Sequence, residues 1–155
     1  LQVFQTTLES FKRPEGSFDA AVMVDVFEHL SDPESALKKL SHLLDKKSGI
    51  LVIVVPDFGS LSRKIFGQYW LHFKPEHLFY YSKKGITKLL RKHGFEPLLL
   101  RTAKKATSLS YIAAHSARYH NLPGFFIELL GKLPLSTAPF LINSELFCIA
   151  KAHSD

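Results

Sequence analysis

The chain has 155 residues, 46% hydrophobic and 22% charged, a balance that fits one soluble globular domain with a buried core and excludes a disordered or low-complexity chain. Its one cysteine, Cys148, excludes a disulfide framework and fits a reducing, cytoplasmic setting, while the most apolar stretch, 121–147, is broken by Pro123, Glu128, Lys132, Pro134, Pro139 and Glu145, so no run nears the roughly 20 residues that span a bilayer. The net charge of +6 gathers in Lys83, Lys84, Lys88, Arg91, Lys92, Arg101, Lys104 and Lys105, without the interleaved aromatics of a single-strand stacking surface, so it reads as a solvated face and argues against nucleic acid as a partner.

In chain order, Leu1–Phe4 reads as a strand. Phe18–Val24 and Gly49–Val55 are nearly continuous apolar runs, the pattern of strands covered on both faces in a parallel sheet. Between them Ser31 or Asp32 caps a helix that opens on Pro33 and carries a stripe of Ala36, Leu37, Leu40, Leu43 and Leu44. Lys46 and Lys47 suit its negative end, and Gly49 releases the chain into the next strand. This is a right-handed crossover unit. A second helix is expected over Ser82–His93, with Ile86, Leu89 and Leu90 inward and Gly94 as its stop, then a strand at Phe95–Arg101. Helices around Ser108–His120 and Phe125–Lys132 and a last strand at Glu145–Lys151 complete an α/β chain with a mostly parallel sheet.

Several phrases of the chain resemble class I S-adenosylmethionine-dependent methyltransferases, in particular the ubiquinone-biosynthesis-like O-methyltransferases and their bacterial relatives (the methyltransferase type 11 and 23 domains). They are Ser17-Phe-Asp-Ala-Ala-Val-Met-Val-Asp-Val-Phe-Glu-His-Leu-Ser-Asp-Pro33, Leu43 to Asp57, Tyr69-Trp70, Glu76 to Ser82 and the Lys92-His-Gly-Phe95 turn. The resemblance covers 1–101 and is positional beyond. It implies a Rossmann-like fold of which this chain carries the third to seventh strands, the last antiparallel and inserted beside the fifth. It also implies a glycine loop and a ribose-binding acid earlier in the domain. No Gly-x-Gly occurs in these 155 residues. The chain is therefore expected to be the carboxy-terminal part of such a domain, its activity alone doubtful, with 103–143 an insertion or lid between the last two strands.

The resemblance places Thr7 and Leu8 at the adenine ring of S-adenosylmethionine. Val24 and Asp25 end the fourth strand, and ligands of open parallel sheets bind outside the carboxyl ends of strands, so both are expected to line the cofactor cleft. Asp25, Glu28 and His29 stand at i, i+3 and i+4, one side of a helical turn, and His77 lies in a later loop that can reach the same cleft. Three readings stay open. The four side chains are a donor set for a divalent metal, an arrangement that resembles small-RNA 2′-O-methyltransferases with Asp25 in place of their first glutamate. Alternatively His29, supported by Glu28, is a general base without metal. Or Glu28 and His29 only brace the loop before Pro33. Pro56, Asp57 and Phe58 are expected at the cleft wall, and the aromatics Trp70, Phe73, Phe79, Tyr80 and Tyr81 read as packing before substrate cage.

The expected function is methyl transfer to an oxygen acceptor on a small molecule, the alternative a non-catalytic degenerate domain that serves as an interaction module. The apolar residues Phe125, Phe126, Ile127, Leu129, Leu130 and Leu133 suit a lid over a hydrophobic substrate, or a surface for a protein partner or membrane face.

Overall fold

The computed structural model describes residues 2–119, 124–132 and 137–153. The two apolar runs become β1 (Ala20–Val24) and β2 (Ile50–Pro56), parallel neighbours with Ala20 opposite Ile50 and Val24 opposite Val54. Between them α1 (Pro33–Leu43) starts as its sequence demands: the Asp32 carboxylate accepts the Ser35 amide at 2.9 Å and Pro33 opens the first turn. Its return to β2 needs glycine, because a Cβ at Gly49 would stand 2.4 Å from the Asp45 carbonyl oxygen. After β2 a short α2 (Leu61–Phe66), capped by Ser60 and absent from the sequence reading, leads to α3 (Lys83–Lys92), capped by Ser82. Gly94, at φ 75, turns the chain into β3 (Phe95–Thr107). The connection carries α4 (Leu109–Tyr119) and α5 (Gly124–Lys132) before β4 (Phe140–Ala152).

The sheet order among the described residues is β1-β2-β4-β3, with β4 antiparallel to both neighbours. The expected α/β class and the antiparallel last strand inserted beside the fifth are both present. Helices α1 and α3 send Leu37, Leu40, Ile86 and Leu90 into one core with Met23, Leu51, Ile53, Val55, Leu146 and Cys148. No described helix is long and apolar enough to cross a membrane.

Three expectations change. Gln2–Phe4 form no strand (Leu1 lies outside the described residues), because no neighbouring backbone completes a ladder; Phe4 instead packs on Phe11, under the Arg13 guanidinium. The outer face of β1 is not covered, and Val22 and Val24 are 65% and 54% exposed, so the continuous apolar run did not mean burial on both sides here. Finally, β3 and β4 run farther than Phe95–Arg101 and Glu145–Lys151, pairing Lys104 with Asn143 and on to Thr107 with Phe140. The helical connection therefore spans only 108–139. Of the apolar residues placed there by sequence, Leu133 and the side chains of Phe126, Ile127 and Leu130 lie outside the described residues, as does His120.

Candidate functional site

The carboxyl ends of β1 and β2 open on one side of the sheet. Asp25 leaves β1 at φ 52, the left-handed region that Asp tolerates better than most residues. Its amide still donates to the Val54 carbonyl at 3.0 Å. The left-handed step aims its carboxylate at β3, where Lys105 Nζ stands 3.3 Å from Oδ2. A 3-10 turn, Phe27–His29, follows. Phe27 fills the core against Tyr81, Glu28 is buried on the same turn, and His29 faces outward.

The loop before α3 locks onto this turn. The amides of Leu78 and Phe79 donate to the Glu28 carbonyl at 2.9 and 3.2 Å, and His29 Nδ1 donates to the Glu76 carbonyl at 2.8 Å. A carbonyl only accepts, so Nδ1 carries a proton and Nε2 is the ring nitrogen not used in this bond. His77 is thereby set edge-on to His29, ring centroids 4.7 Å apart. One donor atom each from Glu28, His29 and His77 falls within 4.8 Å of the others.

The buried members of this cluster are short of partners. Neither carboxylate oxygen of Glu28 nor Nδ1 of His77 has a hydrogen bond among the described residues. Burial raises the pKa of Glu28, with the charges of Asp25 and Glu145 adding to it. Burial and the neighbouring His29 hold His77 down at about 4, so it is neutral at pH 7.

Sequence reasoning found Glu28, His29 and His77 but not their neighbours. Lys105 bridges Asp25 to Glu145, Nζ lying 2.8 Å from Oε1 of the latter, and His72 Nε2 stands 3.7 Å from the same oxygen. His72 is held down at about 3, first by burial, then by the charge of Lys105. Glu145 carried a faint signal, a carboxylate inside an apolar strand. Lys105 and His72 carried none. The donor atoms that come together are those of Glu28, His29 and His77, while the carboxylate of Asp25 pairs with Lys105.

The other expected residues scatter. Leu8 lines an apolar depression with Phe11, Phe18, Ala20 and Leu43, at the start of β1 and roughly 15 Å along the strand from Asp25. Thr7 beside it accepts the Ser10 amide. Asp57 is spent on structure, accepting the Gly59 amide and the Thr102 hydroxyl, each at 2.8 Å. Phe58, Trp70, Phe73 and Tyr80 pack on one another, with Trp70 donating to Ser62.

Residues 1–100 match the family model of a methyltransferase domain. A search of the curated proteins finds no match. Among solved structures, a candidate methyltransferase of Bacillus halodurans superposes with TM-score 0.64 at 15% identity, over 97% of this chain and 71% of its own. An S-adenosylmethionine-dependent methyltransferase of Thermotoga maritima gives TM-score 0.57 at 21% identity, over 98% of this chain and 64% of its own. The 1,6-didemethyltoxoflavin-N1-methyltransferase of Burkholderia thailandensis, solved with its namesake and S-adenosylhomocysteine bound, gives 0.53 at 13% identity, over 97% and 50%. At these identities the likeness establishes the fold.

Proposed function

This chain belongs to the family of methyltransferase domains, and from that premise we propose that it serves S-adenosylmethionine-dependent methyl transfer to an oxygen acceptor on a small molecule, in the cytoplasm. The observation that carries the reading is the cluster of Glu28, His29 and His77 at the carboxyl end of β1, where ligands of such sheets bind. The cofactor supplies an electrophilic methyl group. Half-exposed Val24 and the turn at Asp25 are open to it on this side of the chain. Thr7 and Leu8, farther back along β1, are proposed to meet only its adenosyl end.

His29 is the proton acceptor: as the acceptor oxygen takes the methyl, its proton passes to Nε2, the nitrogen that the Glu76 hydrogen bond leaves free. Glu28 places a carboxylate beside the imidazolium so formed. His77, neutral, adds no repulsion. Most of the rate enhancement is expected from holding the acceptor in line with the methyl group. We read the helical connection between β3 and β4, which carries α4 and α5, as the lid over a hydrophobic acceptor, with Phe125 and Leu129 exposed on α5; its alternative use is as a docking face for a protein or membrane.

A second reading has an observation of its own. Buried polar atoms without partners call for an explanation, and the unpartnered oxygens of Glu28 and Nδ1 of His77, with Nε2 of His29, make a two-histidine, one-carboxylate donor set for a divalent metal. Asp25, engaged by Lys105, stands outside that set.

The test is calorimetric titration of S-adenosylhomocysteine into this chain and into the full protein product of its gene. Binding to either, with His29→Ala leaving affinity intact and lowering methyl transfer by about 10²-fold or more, supports the reading. No binding to either moves the interaction-module alternative ahead.

A further inference from the structure

Beside the histidine cluster, the far ends of β3 and β4, the 71–74 loop and the first turn of α4 enclose a cavity of about 200 Å³. That is roughly seven water molecules' worth of liquid. Its polar lining consists of His72, Lys74, Lys105, Thr107 and Tyr111, and its apolar lining includes Leu71 and Ile142. Every polar group in that set can donate a hydrogen bond, and no carboxylate is among them. The carboxylates of Asp25 and Glu145 are near, but Lys105 holds both, at 3.3 and 2.8 Å.

Two of the donors lack a close partner. Lys74 lines the cavity and forms no ion pair at close range among the described residues, its charge reaching the buried Glu145 carboxylate only from farther off. Thr107 is 9% exposed, and its hydroxyl oxygen lacks any hydrogen bond among the described residues. A buried hydroxyl without a partner is costly unless a ligand or water completes it.

We propose that this cavity is the acceptor subsite, and that it takes a small molecule whose carboxylate is bound by Lys74 and Thr107 while its apolar body lies on Leu71 and Ile142. The word acceptor rests on the methyl-transfer reading above; the binding of a carboxylate does not. His72 links the two places. Its ring faces the cavity and lies over His77, centroids 6.4 Å apart, and His77 in turn meets His29. The cavity therefore adjoins, through His72 and His77, the group proposed to take the proton.

The protein carries its own reporter. Trp70 is its single tryptophan, buried with its ring centroid 4.9 Å from that of His72. The experiment is titration of the whole chain at pH 7 with benzoate and with its neutral analogue benzamide, read by Trp70 fluorescence, with no cofactor present. Saturable binding of benzoate is expected, at least about tenfold tighter than benzamide, as for loss of one charge-assisted hydrogen bond. Lys74→Gln is expected to bring benzoate down to the benzamide level. Thr107→Val is expected to weaken benzoate several-fold, and Lys92→Gln, far off and paired with Glu34, to change nothing. Equal affinities for the two probes, or a Lys74→Gln variant that melts normally and still prefers benzoate, overturns the proposal. Because the readout involves neither cofactor nor turnover, this failure is distinct from a failure of the methyl-transfer reading.

Discussion

His77 and His72 are kept neutral by burial, at about 4 and about 3, and this couples the candidate site to stability. An unfolded histidine titrates near 6.5, so as pH falls from 6.5 toward 4 the unfolded chain takes up a proton that folded His77 refuses. Stability is therefore expected to fall with pH across that window, by about 3 kcal/mol for His77 alone. Urea unfolding at pH 7.0 and 4.5 measures the difference, and His77→Gln should flatten it; a variant with the parent's pH slope would contradict the cause given. Glu28 carries the opposite sign. Its raised pKa means that the fold prefers the protonated form, and that preference becomes a penalty once the solvent pH exceeds the unfolded value. Glu28→Gln is thus expected to raise Tm at pH 7 by a few degrees, each kcal/mol being worth about 2–4 °C in a chain of this size, while weakening the site. An unchanged or lower Tm in a calorimetric scan would mean that Glu28 has a partner that compensates its burial. At this scale Glu28, His29 and His77 were legible from residue type and spacing. That Asp25 pairs with Lys105 was not, because its direction follows from one left-handed φ and a lysine on another strand.

The helices were legible because their signals are local. Asp32, Pro33 and the leucine stripe specify α1 within a dozen residues, and Ser82 and Gly94 bracket α3 in the same way. Ser82 accepts the Gly85 amide at 3.2 Å, and Ser82→Ala should cost about 1 kcal/mol in urea unfolding. Gly49→Ala should cost more, about 1–3 kcal/mol, because the added methyl meets backbone at Asp45 and the Leu44 side chain at 2.9 Å. A loss below a few tenths for Gly49→Ala would show that the turn relaxes freely. The long ends of β3 and β4 were not legible. Lys104-Lys105-Ala106 reads as a basic loop in isolation and becomes strand only because Leu141–Asn143 supplies the ladder opposite. Extending those strands is what carries Lys105 and Thr107 to the cavity.

Across the whole molecule, β1 is the edge of the sheet among the described residues, with Val22, Val24 and Val26 exposed beside its unpaired side. A flat apolar edge recruits another strand. The 155-residue chain alone is expected to self-associate as its concentration rises in sedimentation velocity, and Val22→Lys with Val24→Lys to reduce that association; a parent that stays monomeric throughout would refute it. The α/β class, the crossover unit, the capped helices and the identity of three clustered residues were determined by the sequence itself, since each depends on residues close along the chain. Which polar side chains share a pocket was decided only by the tertiary structure. Lys105 reaches Asp25 across 80 residues and Thr102 reaches Asp57 across 45, and no local pattern encodes contacts that exist only once β4 has paired between β2 and β3.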